Sequence, residues 1–475
     1  MQNLRSPFLY EKVAEQIVLA IYSGIYPIGS KLPSLRHLSQ QKKVSLATVI
    51  QAYELLEQKG LVEAQNKRGY FVRAWHKKNI QEPKTSAPRL IVRTVNVAQL
   101  AMSLVDESRQ QGMIKLGAAV PEADLLPLGI LSRSLAGVAR RQYQLVGRYE
   151  SSQGYIGLRQ QIAALMADAG CHCEADDILI TNGCLEALSL SLRAVTKPGD
   201  TVIIESPTYF GILQVIERLD LQALEVATNA RSGIDLGKFK TAIQQHKISA
   251  CILMPSFANP LGSVMSDESK QQLVEILSQY NITLIEDDIY GVLSFSATRP
   301  KAVKSWDRND NVIYCSSFSK TIAPGLRIGW AVSGKYREKM IYLKFLDNIS
   351  TAIHPQLVME EFLARGSFQR HTKKVVKIYR TRMQQLRNWI NEFFPPGTRI
   401  ANPQGGFVLW VELPAKFSSL KLYQSALRRH IAIVPGILFS SQGQYKHHLR
   451  LSCGAVEGEQ AKLSIQALGD LMAEQ

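Results

Sequence analysis

The sequence predicts two folded parts: an N-terminal winged helix-turn-helix of mixed α and β structure, then a larger α/β body with a largely parallel sheet and a smaller terminal subdomain. Three observations carry this reading. Apolar residues recur at helical spacing through the first sixty or so residues, and two short strand-like runs follow around a basic turn. From about residue 110, short apolar runs alternate with helical segments, the pattern of a parallel sheet covered on both faces. After residue 395 the strand-like pattern restarts in GGFVLWVEL, IAIVPG and HLRLSC. A chain of 475 residues is also too long for one ordinary core.

In the first part, Leu9, Val13, Ile17 and Ile21 lie four apart and mark one face of a helix that Gly24 and Pro27 end. KLPSLRHLSQQ starts a second, short helix, with Pro33 and Ser34 suited to its first turn. Ser45 can cap a third, whose inner face is Val49, Ala52, Tyr53 and Leu56 and whose stop is Gly60. LVEAQ and YFV, joined by NKRG, read as a hairpin. In such a unit the N-terminal residues of the third helix enter the major groove. Here they are Ser45, Leu46, Ala47 and Thr48, with Arg36, Lys42 and Lys43 before them and the wing residues Lys67, Arg68 and Gly69 after.

Charge supports a polyanionic partner. The net charge is +16, and residues 1–88 hold 13 Lys/Arg against 6 Glu and no Asp. Residues 74–95 open with Lys, Pro and Ser and little apolar period, so about the first sixteen read as a solvated linker. The expected boundaries are 1–75 for the reader, 76–95 for the linker and 96–475 for the body. No secretion signal opens the chain, and its longest uncharged run, ISACILMPSFANPLGSVM, is broken by Pro255, Asn259 and Pro260, so no membrane span is expected. The six cysteines are scattered, and Cys171-x-Cys173 lacks a second ligand pair. They read as thiols of the cytoplasm, with no metal site.

In the body, DDILIT, DTVIIE, SACILMP, ITLIEDD and NVIYCS read as strands, with LEALSLSLRAV and DESKQQLVEILSQY among the helices between them. Behind NVIYC stands SSFSKTIAPGLRIGW, whose Lys320 lies among serines before a Pro-Gly turn. A lysine so packaged suits pyridoxal 5′-phosphate (PLP): its amine condenses with the cofactor aldehyde, and the ring then withdraws electrons. The other parts follow in order. Asp287 in IEDDIYG can keep the pyridinium protonated, and Tyr290 and Asn259 can reach the phenolic oxygen. TNGCLEAL is a strand–glycine–helix junction whose free N–H groups at Gly183, Cys184 and Leu185 suit a phosphate dianion. Ser317, Ser319 and Arg327 can complete that cradle, and Tyr209 can stack on the ring.

The segment LPSLRHLSQQKKVSLATVIQAYELLEQKGLV resembles the GntR family of bacterial repressors. That resemblance implies that Arg36 grips phosphate and orients the third helix. Where the family usually has arginine after the serine of its VSR motif, this chain has Leu46. Residues 110–470 resemble the class I aminotransferases, PLP enzymes of fold type I. This implies that Lys320 holds the cofactor, Asp287 its ring nitrogen and Arg327 its phosphate. It further implies that Arg450 in HLRLSCG clamps a substrate carboxylate, and that Tyr149 reaches the phosphate of a neighbouring subunit. The union resembles the MocR subfamily of transcription regulators, closest to its YdcR-like branch. It implies a head-to-tail homodimer that binds a double-stranded DNA operator and senses a small amine, an amino acid or the cofactor through its PLP body. A working aminotransferase with an accessory reader is the alternative, because nothing in the visible site forbids the first half-reaction. A degenerate body kept for dimerisation alone is disfavoured by the presence of Lys320, Asp287, Asn259 and Arg327.

Overall fold

The computed structural model describes residues 8–22, 25–27, 29–58, 60–65, 68–72, 80–108, 110, 112–454 and 458–474. It divides into two compact units, residues 1–80 with 381–394, and residues 81–380 with 395–475. Gly24 and Lys67 lie outside the described residues.

The small unit begins with α1 (Leu9–Tyr22), α2 (Leu35–Lys42) and α3 (Leu46–Gln58), followed by β1 (Val62–Gln65) and β2 (Gly69–Val72). The two strands form an antiparallel hairpin with Val62 opposite Val72. Val13, Ile17 and Ile21 share one core with Leu38, Val49, Ala52, Tyr53 and Leu56. Leu9, expected on that face, is 55% exposed. It opens the first turn of α1, one helical turn beyond Val13, where that core begins. Ser34 caps α2 by accepting from His37 N at 3.3 Å, and Ser45 caps α3 by accepting from Thr48 N at 3.1 Å. The Tyr53 hydroxyl donates to Pro33 O at 2.7 Å, which ties α3 to the start of α2.

The large unit is built on nine strands: β3 (Arg93–Thr94), β4 (Ile178–Asn182), β5 (Thr201–Ser206), β6 (Gln222–Asn229), β7 (Gly233–Ile234), β8 (Ala250–Leu253), β9 (Thr283–Asp287), β10 (Val312–Ser317) and β11 (Ile328–Val332). Their order is β3-β6-β5-β8-β9-β10-β11-β4, with β7 beside β6. The run β6-β5-β8-β9-β10 is parallel, and β11 is antiparallel to both its neighbours. A second, four-stranded sheet of β12 (Arg399–Ile400), β13 (Val408–Glu412), β14 (Val434–Pro435) and β15 (His448–Ser452) forms the terminal subdomain.

Two strands next to the ends of the main sheet, β6 and β11, are not marked by the apolar runs read from the sequence. In β6 the run is interrupted by Glu225, which is fully buried. Its carboxyl oxygens accept from Ser206 Oγ at 2.5 Å, Ser440 Oγ at 2.8 Å, Ser441 N at 2.6 Å, Ser441 Oγ at 2.8 Å and Gln442 N at 3.3 Å. A buried polar group is tolerated at that depth only because it is so fully bonded.

Residues 81–94, expected in part to be solvated linker, are a strap fixed along the large unit. Lys84 N donates to Glu412 Oε2 at 2.8 Å, and Ile400 N to Gln81 O at 2.8 Å, which fastens one side to the terminal subdomain. Ser86 Oγ donates to Ser206 O at 3.1 Å and Asn229 Nδ2 to Thr85 Oγ1 at 2.8 Å, which fastens the other to the main sheet. Arg93 and Thr94 then pair with the edge of β6. The strap is held by backbone and hydroxyl bonds, which a polar composition conceals. Among the described residues no helix is long and apolar enough to cross a membrane.

Candidate functional site

Strands β9 and β10 run parallel, and their carboxyl ends deliver Asp287 and Ser317 to the same edge of the sheet, where ligands of open α/β folds bind. A single turn, Phe318–Lys320, follows β10, tightened by Ser319 N donating to Ser317 Oγ at 3.2 Å. It sets Lys320 over the strand ends. There a cavity of about 180 Å³ is lined by Lys320, Asp287, Tyr290, Asn259 and Tyr209, together with Cys184, Leu185, Ser317, Ser319 and Arg327. The residues that the sequence scatters over almost 150 positions therefore share one cavity.

Gly183 stands behind this wall at φ +84°, as the cap of the helix Cys184–Val195. A β-carbon there would overlap the guanidinium of Arg327, so glycine is required by space as well as by backbone angle. Arg327 Nη2 donates to Asn182 O at 2.8 Å, and Nη1 lies 3.5 Å from Ser319 Oγ. The cation is thus held beside the first N–H groups of the helix, a combination suited to a phosphate.

Arg450 is buried on β15 and reaches the cavity through Asn259, donating from Nη1 to Asn259 Oδ1 at 3.1 Å and from Nη2 to Gly117 O at 2.6 Å. The rings of Phe439 and Phe210 flank the guanidinium, with centroids 5.3 and 5.8 Å from its carbon. Tyr149 is not brought to the cavity of its own chain: it is 80% exposed.

Burial dominates the electrostatics. It pushes the Asp287 carboxyl up to about 7, against the bonds from Ile289 N at 3.2 Å and Cys184 Sγ at 3.5 Å. It brings the Lys320 amine down to about 8, aided by the positive charge of Arg450 and opposed by Asp287. Tyr290 is buried with its hydroxyl unbonded among the described residues, and burial raises its pKa well above the ordinary value. An acid that would gain from a cationic neighbour, a reactive amine and a phenol without a partner face one space.

Sequence reasoning missed the carbonyls and rings that orient these groups. Lys320 Nζ donates to Ala119 O at 2.5 Å, Arg450 donates to Gly117 O, and Phe439 stacks on Arg450. A backbone carbonyl has no residue signature, so only the turn-like composition of GAAVPEAD could have hinted at the first two.

In the small unit Arg36, Lys42, Lys43, Ser45, Leu46, Ala47, Arg68 and Gly69 are exposed, and Thr48 is half-buried. The Ser45 and Thr48 hydroxyls bond one another at 2.8 Å, so at the tip of α3 they serve the cap. Lys42 Nζ donates to Gln16 Oε1 at 2.7 Å, and the Arg68 guanidinium lies 5.5 Å from the Phe71 ring centroid. Gly69 opens β2 at φ +102°, beside the aliphatic chain of Lys31, a basic residue that the sequence reading did not single out.

Two family descriptions match the chain: "Aminotransferase class I and II" over residues 111–468 and "Bacterial regulatory proteins, gntR family" over residues 9–72. Among curated proteins, the HTH-type transcriptional regulators YdcR and YjiR of Escherichia coli (strain K12) are 38% and 35% identical to it. The YdcR match covers 98% of this chain and 99% of the relative, and the YjiR match 97% and 98%. Among solved structures, the kynurenine aminotransferase of Pyrococcus horikoshii is 28% identical with a TM-score of 0.73, covering 80% of this chain and 95% of its own.

Proposed function

Since this chain belongs to the MocR type of HTH regulators, in which a gntR-family reader is fused to an aminotransferase class I and II body, we propose that it is a DNA-binding transcriptional regulator whose body binds PLP, pairs two chains and senses an amine or amino acid. One observation carries the cofactor reading: Lys320, Asp287 and the unpartnered hydroxyl of Tyr290 line a single cavity. The parts fit the cofactor group by group. Asp287 would meet a ring N–H, Tyr290 and Asn259 a phenolic oxygen, Arg327 with Ser317, Ser319 and the N–H groups of Cys184 and Leu185 a phosphate, and Tyr209 the ring face. When bound, PLP supplies an aldehyde for Lys320 and an electron-withdrawing ring. The chain's own part would be to hold that ring protonated from Asp287, to lower the Lys320 amine so that its neutral form becomes accessible near pH 8, and to seat a carboxylate on Arg450.

The lowered amine makes the first expected outcome a pH dependence. Only the neutral amine attacks an aldehyde, so PLP capture by cofactor-free protein should speed up as pH rises and level off near 8. An ordinary lysine would keep gaining up to about 10.4. Stopped-flow absorbance across pH 6–10 reads this directly, and a rate still climbing tenfold per unit above pH 9 would contradict it.

Pairing is supported by apolar residues left in solvent, including Tyr143, Val146 and Tyr149 on one segment and Tyr342, Phe345 and Leu346 on the helix Arg337–Asn348. In such a pair the exposed Tyr149 would be free to reach a phosphate held by the second chain. Binding of DNA rests on the exposed tip of α3 and the basic residues around it.

The second reading, a working aminotransferase, is favoured by the same complete cavity, and one experiment separates the two. Operator affinity is measured with and without candidate amines, alongside turnover. A sensor should show a change of roughly 5–150-fold with the right amine, because coupling between sites commonly has that size. Arg450→Ala should remove the response to amino acids while ligand-free DNA binding persists. Rapid transamination with operator affinity unchanged by every amine and cofactor state would establish the enzyme instead.

A further inference from the structure

We propose that a groove between residues 124–130 and the start of the helix Ser367–Phe393 is a second ligand site, built for a small monocarboxylate with an apolar tail. The groove has a volume of about 330 Å³ and shares no lining residue with the cavity around Lys320. That volume falls in the range of roughly 300–1,000 Å³ usual for small-molecule pockets.

Its chemistry is divided. Leu125, Leu126 and Ile130 form one apolar wall, and Val375 and Ile378 form the other. Lys374 stands in the lining with neither a hydrogen bond nor a carboxylate partner among the described residues. Arg370 uses Nη2 on Arg365 O at 3.1 Å and Ser367 Oγ at 3.4 Å, which fixes the guanidinium and leaves Nη1 and Nε for a ligand. His371 is not part of the charge. Its Nε2 is engaged with Thr321 O at 2.9 Å, and burial with the nearby Lys374 holds its pKa below the ordinary value, so the neutral ring braces the helix.

The acid in the lining is Asp124, which is exposed. Two cations, Arg370 anchored and Lys374 unpaired, against one carboxylate leave a single positive charge to match, which favours a monoanion over a dianion or an amine. The apolar walls then take the tail, since a pocket without such a tail would leave its leucines and isoleucines facing water.

The test uses 4-phenylbutyrate and the full chain, titrated by calorimetry. Saturable binding is expected, weakened at least about tenfold by Lys374→Gln and separately by Ile130→Asp, while 4-phenylbutylamine does not compete. Both side chains are exposed, so folding should survive, and the far-ultraviolet spectrum checks this. Arg450 is intact in both variants, so any carboxylate held there is unaffected and the loss belongs to the groove. If both variants bind as the parent does, or if the amine competes equally, the proposal is overturned. Neither result touches the PLP reading, which rests on Lys320.

Discussion

Lys320→Ala should eliminate every trace of cofactor fixed by borohydride, the largest functional effect expected of any single substitution in this chain. After incubation with PLP, reduction and denaturation, the parent chain should gain one cofactor by mass and the variant none. Loss should be complete because the borohydride-stable link needs an amine, and the cavity lining offers no second one: Asp287, Tyr290 and Arg327 supply contacts, and Cys184 and the serines form no imine. Weak, reversible PLP binding should persist in the variant through the phosphate cradle and Asp287. A variant that still carries covalent cofactor, or a parent that takes none, would refute the assignment of the cavity.

The largest loss of stability should come from Glu225→Ala. Five donors converge on that carboxyl group from β5 and from residues 440–442, all at buried or half-buried positions. Removing it leaves the Ser441 amide and hydroxyl without their acceptor and opens a space in the sheet, while the Gln442 amide keeps Ser440 Oγ at 3.0 Å. The cost should exceed about 3 kcal/mol, since each stranded buried donor costs about 1–3 kcal/mol. Glu225→Gln keeps the shape and one acceptor oxygen, and should fall between the two. Denaturant midpoints for the three proteins decide the matter, and a Glu225→Ala midpoint within experimental error of the parent would show that the donors find water instead.

What could be read in the sequence, and what could not, follows from the kind of interaction involved. Asp287, Asn259 and Lys320 were legible because a polar residue at the end of an apolar run is out of place unless something uses it. The α3 face was legible because Val49, Ala52, Tyr53 and Leu56 repeat with the helix. Ala119 and Gly117 were not, since what they contribute is a carbonyl that any residue has. The strand β6 was hidden by Glu225, a charge-bearing residue most of whose partners lie more than two hundred positions away. The strap at residues 81–94 was hidden for the same reason: Lys84 owes its place to Glu412, 328 residues on.

That long reach of Glu225 also sets an order of events during synthesis. Ser440 lies 215 residues after it, and a ribosome adding about 5–20 residues per second takes roughly 10–40 s to cover the gap. For that interval β6 has been made while most of the donors for its central carboxyl group have not. Until the terminal segment arrives, that carboxyl group has only the Ser206 hydroxyl of the five donors, and a message that slows translation between these points lengthens the period in which a chaperone has to guard it.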